Sequence, residues 1–487
     1  MDRARIARWV GVSVLLASLL PSAARAAGPT VDAFTLNGVR VNVLLPAGYD
    51  PAGSARYPVV YLLHGHGENE NTWLESGDVK TVAAADGVIV VMPDGSEGGW
   101  YSDWRNGAYA WESFHIGKLI PYIDSHYRTR ATREARAIAG LSMGGFGSMH
   151  YAARHPDLFV AAGSFSGAVD ITDKSPAAEQ VICYSNGPDG DDPYAVWGNP
   201  VDDAVWWHGN NPTDLAANLG GLSLYIANGN GVPEPDDAPN PTGVAGEAAI
   251  EDMARNFDQA LTNEGIPHTT QFRGGIHIWK YWKRDLVNWW PRMMKAFGTP
   301  PPASFDYRAV EPSFSVWGWS FVADRTRATE FLEIRDASLK GVTLTGSGTT
   351  TVTTESFLQP GQSVGVSDGS SSRTVVADRS GRITFTVDLG PAHMEQQYST
   401  PERALELVPG YFQTRTVTFT PAGFLGSGRS LPVAGILAEG RALPATGDGG
   451  RGIQVGLGVS LLALAWVTHR RNRRGSAGCV RPCRTTI

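Results

Sequence analysis

The sequence predicts an α/β protein built on a mostly parallel sheet, followed by a region made of β-strands alone. Short apolar or β-branched runs alternate with helical patterns over residues 35–297, and this alternation is typical of a parallel sheet covered by helices on both faces. A proline-rich break follows at 298–303. Beyond it, short strand-like runs separated by turn residues favour an all-β sandwich.

The strands of the first region are recognised as short runs that end at glycine, proline, aspartate or asparagine. They are predicted at 39–45, 59–63, 88–92, 135–141, 222–227 and 269–272. Helical patterns fill the gaps at 111–127, 144–154, 247–262 and 279–296. The stretch 170–211 has poor periodicity and many Asp, Gly and Pro residues, so we expect it to be an excursion over the sheet.

The second region follows a stretch, 298–303, that we interpret as a stiff proline-rich linker. Its strands are predicted at 314–322, 331–334, 349–353, 363–366, 373–377, 383–387 and 414–418. The tripeptide Arg379-Ser380-Gly381 predicts a hairpin turn between two of these runs. We therefore predict an immunoglobulin-like sandwich in this region.

Composition limits the function further. The 487 residues are 42% hydrophobic and 18% charged, which is enough for a buried core and does not indicate bulk disorder. The formal net charge of −7 argues against a nucleic-acid binder, which needs a basic face. The cysteines at 183, 479 and 483 are too few for a disulfide framework or a cysteine-built zinc site. No metal or cofactor is predicted.

The N-terminus has the pattern of a secretory signal peptide. Basic residues at 3 and 5 precede an apolar run over 9–20, and Ala24-Arg25-Ala26 is an A-x-A cleavage site. We expect cleavage after Ala26.

The C-terminus combines the pentapeptide Leu443-Pro-Ala-Thr-Gly447, an apolar stretch over 453–468 and four arginines within 470–474. This order resembles the sorting signal of Gram-positive wall proteins. The resemblance implies that a sortase cleaves between Thr446 and Gly447 and joins Thr446 to peptidoglycan. The alternative is an ordinary membrane anchor, although the apolar stretch is shorter than the about 20 residues of a free-standing span.

These signals complete the predicted organisation of a secreted, wall-attached protein. Its segments are a signal peptide at 1–26, the α/β domain at 27–298, a linker at 299–304, the β-sandwich at 305–425, a tether at 426–442 and the sorting signal at 443–487.

A nucleophilic serine is predicted from the pattern G-x-S-x-G, which occurs around Ser142, Ser363 and Ser367. A nucleophile elbow must follow a buried strand and open a helix. Only Ser142 lies between a predicted strand and a predicted helix, and the other two matches lie in the β-rich region. We interpret those two as chance matches in a glycine-rich chain.

The oxyanion hole and the general base are predicted from the positions of residues along the chain relative to Ser142 and the predicted strands. The backbone N–H of Met143, directly after the nucleophile, is one expected donor, and His66 in the loop after strand 59–63 supplies the other. No clustered carboxylates accompany His64 and His66, so a loop role is favoured over a metal site. In the chain order Ser…Asp/Glu…His, His277 is the expected base, in a loop between a strand and a helix.

The acid that would orient His277 stays open on the residues alone. The region after strand 222–227 offers five carboxylates, and the loop positions are favoured over the helical ones. The candidates are Glu234, Asp236, Asp237, Glu247 and Glu251.

Several motifs together resemble the esterase family of α/β-hydrolases that includes secreted mycolyltransferases, feruloyl esterases and S-formylglutathione hydrolases. They are Tyr101-Ser-Asp-Trp104, Gly140-Leu-Ser-Met-Gly-Gly145, His155-Pro-Asp-Leu-Phe159, Gly229-Asn-Gly231 and His277-Ile-Trp-Lys-Tyr-Trp282. The resemblance covers residues 31–297 and implies an α/β-hydrolase fold. It also implies a catalytic glutamate on the helix after the Gly-Asn-Gly turn, which falls on Glu247, with Glu234 and Asp237 as alternatives.

The chain departs from the mycolyltransferases at the oxyanion loop. Those enzymes carry an aspartate and an arginine that hold the sugar acceptor, where this chain has His64 and Gly67. Their trehalose-binding residues are therefore not matched. We predict a wall-attached serine esterase acting on an ester or acyl-donor substrate, with Trp104 and Trp279 as substrate-binding candidates. The alternatives are an acyltransferase of the mycolyltransferase or diacylglycerol acyltransferase type and a catalytically silent adhesin.

Overall fold

The computed structural model describes residues 28–185, 192 and 194–421. The predicted signal peptide, tether and sorting signal lie outside these residues. An eight-stranded sheet has the order β1-β2-β4-β3-β5-β6-β7-β8, with β2 antiparallel to both neighbours and the strands from β4 to β8 parallel. The strands are β1 Thr30–Leu36, β2 Val39–Leu45, β3 Val59–Leu63, β4 Ile89–Pro93, β5 Arg136–Leu141, β6 Ala161–Phe165, β7 Ser223–Gly229 and β8 His268–Arg273.

The helices of this region largely follow the predicted periodicity. Helix α9 has both predicted ends, and α5 begins one residue before the predicted start. The helix predicted at 111–127 consists of α3, a π-helical turn at His115–Leu119 and α4. The helices are α1 Thr72–Glu75, α2 Val79–Val82, α3 Trp111–Phe114, α4 Ile120–His126, α5 Met143–Arg154, α6 Pro176–Ser185, α7 Ala204–Asn210, α8 Pro241–Asn263 and α9 Trp279–Ala296.

The sheet is buried on both faces, which confirms the predicted α/β architecture. Along β3, Val59, Tyr61 and Leu63 belong to one hydrophobic core, whereas Val60 and Leu62 belong to the other. Helices α5 and α8 contribute to the first core and α9 to the second. Because successive side chains of a strand point to opposite faces, a strand covered on both sides must be apolar throughout. This requirement makes such strands easy to recognise in a sequence.

Helix α8 begins at Pro241 and not at Glu247, where the periodicity predicts its start. Proline at the first helical position has the backbone angle that a helix needs. The side chain of Asn240 accepts a hydrogen bond from the N–H of Gly243 at 2.8 Å and caps the helix. The first turns contain two glycines and little apolar periodicity, so the pattern alone does not reveal them.

Two strands and two longer helices of this region were not predicted. Strand β6 has the sequence AAGSF, which lacks the β-branched residues that mark a strand. Strand β1 is largely exposed at the edge of the sheet. The stretch 170–211, expected to be an irregular excursion, contains α6 and α7.

The region from β9 onward forms two antiparallel sheets, with orders β10-β11-β14-β17 and β16-β15-β18-β13-β12-β9. Trp319 and Phe321 of the first sheet share one hydrophobic core with Leu332, Ile334 and Leu344 of the second. Helix α10, Thr400–Leu405, precedes the last strand. The strands are β9 Phe305–Ala309, β10 Ser313–Val316, β11 Trp319–Ala323, β12 Leu332–Ser338, β13 Gly341–Gly346, β14 Thr349–Thr353, β15 Ser363–Ser367, β16 Ser372–Val376, β17 Thr384–Asp388 and β18 Gln413–Pro421.

Two predictions for this region were wrong. The run 314–322 is not one strand, because Trp317 and Gly318 have positive φ angles of 51° and 77° and form the turn of a hairpin between β10 and β11. The turn near Arg379-Ser380-Gly381 exists, with the N–H of Gly381 bonded to the carbonyl of Asp378 at 3.0 Å. It joins β16 and β17, which lie in different sheets, so it is not a hairpin. The immunoglobulin-like topology stays a prediction.

The two regions are in direct contact across the proline-rich stretch. The hydroxyl of Tyr307 donates to the carbonyl of Arg154 at 2.8 Å, and Asn218 exchanges hydrogen bonds of 3.0 and 2.8 Å with the backbone of Arg308. Val310 is part of a hydrophobic core of the α/β region. Within residues 28–185 and 194–421, no helix combines the length and apolarity needed to cross a membrane.

Candidate active site

Ser142 occupies a sharp turn between β5 and α5, as the sequence predicts. Its backbone has φ 52° and ψ −119°, a region that non-glycine residues rarely adopt. A Cβ atom at Gly140 would lie 2.2 Å from the carbonyl oxygen of Gly144, and one at Gly144 would lie 2.4 Å from that of Leu63. The turn therefore requires glycine at both positions. Ser363 and Ser367, in contrast, begin and end β15, which continues into β16.

The structure brings Ser142, His277 and Glu247 into one hydrogen-bonded chain. Nε2 of His277 lies 2.9 Å from Oγ of Ser142, and Nδ1 lies 2.7 Å from Oε2 of Glu247. The Glu247 side chain is fully buried, whereas that of His277 keeps 19% of its surface exposed. If Nδ1–H donates to the carboxylate, Nε2 is left as an acceptor for the serine hydroxyl. This arrangement permits proton transfer from Ser142 to a solvent-reachable imidazole.

Hydrogen bonds from His277, Ser166 and Gly229 hold the buried carboxylate of Glu247. Its Oε1 accepts a hydrogen bond of 2.7 Å from the hydroxyl of Ser166 and one of 2.5 Å from the N–H of Gly229. Ser166 in turn accepts from Nε1 of Trp282 at 3.1 Å. Burial opposes ionisation of Glu247, but the hydrogen bonds from His277, Ser166 and Gly229 outweigh it and lower the pKa of the carboxyl. The carboxylate is thus kept charged beside the imidazole.

Sequence reasoning missed Ser166 and the role of Trp282. Ser166 has a positive φ of 49° and follows β6, the strand that the sequence did not reveal. A lone serine after an unrecognised strand carries no sequence signal. Trp282 stands in the predicted helix, but periodicity cannot distinguish an indole that supports a hydrogen-bonded serine from one that only packs.

The structure separates Glu247 from the loop carboxylates that were kept as alternatives. Nζ of Lys280 lies 3.0 Å from Glu234 and 2.8 Å from Asp237, and Arg284 lies 2.9 Å from Glu234. These acids form ion pairs with α9. Among the described candidates, Glu247 is the carboxylate hydrogen-bonded to His277.

The loop after β3 lies against the serine, as expected for an oxyanion hole. A Cβ atom at Gly65 would lie 3.5 Å from Cβ of Ser142. The N–H of Gly65 donates to Oε2 of Glu68 at 2.9 Å, and the N–H of Gly67 donates to the carbonyl of Glu97 at 2.8 Å. No described residue accepts a hydrogen bond from the N–H of His66 between them.

The second predicted donor, Met143, is the first residue of α5. The N–H groups of the first helical turn have no acceptor within their own helix. His64 serves the loop itself: Nε2 accepts from the N–H of Gly95 at 2.8 Å, and Nδ1 lies 2.8 Å from the carbonyl of Gly65.

The two tryptophans predicted to bind substrate lie in different places. Trp279 packs edge-on against Trp282, whose ring lies 4.8 Å from that of His277, so it is beside the hydrogen-bonded chain. Trp104 is buried and lines a separate cavity of about 210 Å³ together with Trp197 and Trp206. Neither Ser142 nor His277 lines that cavity. A substrate-binding role for either tryptophan stays a prediction.

Comparison with known proteins identifies the family of this chain. The family model described as "Putative esterase" matches residues 36–293, just over half of the chain. Esterase Rv1288 of Mycobacterium tuberculosis (strain ATCC 25618 / H37Rv) is 34% identical over 251 residues, which are 49% of this chain and 52% of that protein. The chain thus spans about half the length of that relative.

The match with this chain covers a larger share of two further proteins. Diacylglycerol acyltransferase/mycolyltransferase Ag85B of Mycobacterium leprae (strain TN) is 31% identical over 312 residues, 57% of this chain and 91% of that protein. A solved ferulic acid esterase is 28% identical, with a TM-score of 0.43 over 56% of this chain and 100% of that one. The chain belongs to the esterase family.

Proposed function

We propose that the protein is a serine carboxylic ester hydrolase that works through Ser142, His277 and Glu247. The observation that carries the proposal is the chain of two hydrogen bonds, 2.9 and 2.7 Å long, that links these side chains at a sharp strand-to-helix turn. A serine hydroxyl is a weak nucleophile unless an adjacent base takes its proton. His277 is placed to take it, and the buried Glu247 holds the imidazole in the required tautomer.

The reaction begins when Oγ of Ser142 attacks the ester carbonyl carbon while Nε2 of His277 accepts the hydroxyl proton. The carbonyl oxygen becomes an oxyanion, which accepts hydrogen bonds from the N–H groups of His66 and Met143. The carbon–oxygen bond to the alcohol then breaks, and His277 returns the proton to the leaving alcohol. Water repeats the sequence on the acyl-enzyme, which releases the carboxylic acid and restores Ser142.

Glu247 contributes its charge to this cycle. Imidazolium forms at His277 in both halves of the reaction, and a carboxylate at 2.7 Å stabilises it. The lowered pKa of Glu247 means that it does not take the proton itself.

Covalent labelling tests the proposal. The purified protein is treated with a fluorophosphonate probe, and the labelled peptide is identified by mass spectrometry. We expect one adduct on Ser142, no adduct in Ser142→Ala, and parallel loss of p-nitrophenyl ester hydrolysis in that variant. A wild-type protein that neither labels nor hydrolyses esters would instead support the silent surface-binding alternative.

Acyl transfer is the second candidate, because one relative is named a diacylglycerol acyltransferase/mycolyltransferase and is matched over 91% of its length. An alcohol would then replace water in the second half of the reaction. Two positions argue for hydrolysis: His64 is buried with both ring nitrogens engaged, and Gly67 has no side chain to hold a sugar. A labelled acyl donor, offered with glycerol or trehalose in water, measures the partition between acid and ester products.

We further propose that the enzyme is secreted and joined to the cell wall. The support is the N-terminal signal pattern, with cleavage after Ala26, and the order of pentapeptide, apolar stretch and basic tail at the C-terminus. Mass spectrometry of muramidase-released wall material should find the chain ending at Thr446 with an attached peptidoglycan fragment. Recovery of uncut protein ending beyond Gly447 in the membrane fraction would favour the anchor alternative.

A further inference from the structure

Glu68 lies beside the serine but takes no part in the chemistry described above. Its Oε2 accepts a hydrogen bond from the N–H of Gly65 at 2.9 Å, and its Oε1 accepts one from Nε1 of Trp279 at 2.8 Å. A Cβ atom at Gly65 would be within 3.5 Å of both Glu68 and Cβ of Ser142. The half-buried carboxylate therefore sits next to the reacting centre, with each oxygen used by a different element.

These two elements carry different parts of the proposed machinery. Gly65 precedes His66, whose N–H is the proposed oxyanion donor. Trp279 is the first residue of α9 and follows His277, the proposed base, by one intervening residue. Glu68 and Trp279 are 211 positions apart in the sequence. The carboxylate therefore links the loop after β3 to the start of α9, two segments that are distant along the chain.

The loop at 64–67 needs such a restraint. It contains Gly65 and Gly67, and the latter has φ +76°, so the backbone is intrinsically permissive. A rotation of the peptide units would turn the N–H of His66 away from the oxyanion. The carbonyl of the peptide unit that carries this N–H, that of Gly65, lies 2.8 Å from Nδ1 of His64 and accepts from the N–H of Glu68 at 3.3 Å. The peptide units on either side are held by the bond from Gly67 N–H to the carbonyl of Glu97 and by the bond from Gly65 N–H to the carboxylate of Glu68.

We propose that Glu68 is a positioning residue that couples the oxyanion loop to the helix following the catalytic base. The inference rests on the proposed function, because it assigns Glu68 to the same reaction. The carboxylate fixes the peptide unit between His64 and Gly65, next to the one that carries the His66 N–H, so that this N–H faces the developing oxyanion while His277 stays at Ser142. Its effect therefore belongs to the transition state and not to substrate binding.

Three substitutions test this coupling. Glu68→Ala removes both hydrogen bonds, Trp279→Phe removes one, and Glu68→Gln leaves one acceptor oxygen for two donors. Direct loss of an oxyanion donor costs about 10² to 10³ in kcat, so loss of its restraint should cost about 10-fold to 100-fold in Glu68→Ala. KM should change by less than about threefold, and Glu68→Gln should fall between wild type and Glu68→Ala.

A trifluoromethyl ketone, which forms a tetrahedral adduct with the serine, supplies a readout that a general loss of structure would not reproduce. Its inhibition constant should rise by the same factor as kcat falls. Fluorophosphonate titration gives the fraction of competent sites and corrects for misfolded protein. Glu75→Gln is the matched control, because Glu75 is an exposed acid on α1, and its kinetics should equal those of wild type.

The outcomes separate this inference from the proposed function. If wild type labels and hydrolyses esters but Glu68→Ala keeps its kcat, the inference is overturned and the proposed function stands. It is also overturned if kcat falls while the inhibition constant of the ketone is unchanged. If Glu68→Ala and Trp279→Phe lower kcat, and the double variant is no worse than Glu68→Ala alone, the coupling is supported. A wild type without labelling or activity removes the proposed function itself.

Discussion

Replacing Glu247 by glutamine tests the hydrogen-bonded chain Ser142–His277–Glu247 at its most buried member. The amide oxygen would keep the hydrogen bonds from Ser166 and Gly229, so the packing around the side chain should survive. The amide NH₂ would then face Nδ1 of His277, where the carboxylate oxygen now lies at 2.7 Å. Two donors cannot pair, so the imidazole must place its proton on Nε2.

That tautomer cannot accept the proton of Ser142, and the imidazolium also loses its counter-charge. In a serine protease the corresponding carboxylate-to-amide change lowers kcat by about 10⁴. At about 1.36 kcal/mol for each factor of ten, this is about 5 kcal/mol of transition-state stabilisation. We expect a loss of this order for Glu247→Gln, with KM changed little.

The assay is steady-state hydrolysis of a p-nitrophenyl ester, normalised to the sites titrated by a fluorophosphonate. Glu234→Gln is the control, because Glu234 belongs to a partly exposed ion-pair group with Lys280 and Arg284. Such exposed pairs contribute little to stability, so Glu234→Gln should not change turnover by more than about threefold. The assignment of the acid is refuted if Glu247→Gln keeps a tenth or more of the wild-type kcat. It is also refuted if Glu234→Gln is the variant whose kcat falls by orders of magnitude.

Further predictions concern stability. Ser142→Gly and Ser142→Ala lose the same hydroxyl, but only glycine relieves the strained backbone at φ 52°. Ser142→Gly should therefore have a free energy of unfolding in urea about 1 kcal/mol higher than that of Ser142→Ala. Equal free energies of unfolding would mean that the backbone at residue 142 is unstrained. Burial opposes ionisation of Asp94, yet its contacts with His64, Ser96 and Arg40 outweigh it and lower its pKa from 3.8 to about 2. The stabilisation from the charged carboxylate is full above pH 5 and is lost as pH falls through about 2. Asp94→Asn should therefore show a shallower acid loss of unfolding free energy, and an unchanged pH slope would contradict this. Tyr307→Phe leaves the carbonyl of Arg154 without that hydrogen bond, and we expect a cost of about 1 kcal/mol in urea unfolding, with no change in kcat.

Prediction from sequence succeeded where an element's structure depends on residues that are close together along the chain. Strand β3 and helix α9 were predicted with both ends because their apolar patterns are set by burial along a single element. It failed at β6, whose small residues fit a strand only because neighbouring strands pair with them on both sides. It also misjudged the turn before β17, because the choice between two sheets is made by distant pairing partners.

The candidate site divides in the same way. The sequence by itself determined the position of Ser142, because a strand, a glycine-flanked turn and a helix are contiguous in the chain. Position in the chain narrowed the base to His277 but left five carboxylates open, and the family resemblance then selected Glu247. Position alone was insufficient because Ser142 and His277 are 135 positions apart and Glu247 precedes His277 by 30. Only the tertiary structure placed Glu247 against the imidazole, added Ser166, and brought Glu68 to Trp279. Hydrogen bonds between residues so far apart depend on distances and directions in space, which a pattern of residue types along one chain does not contain.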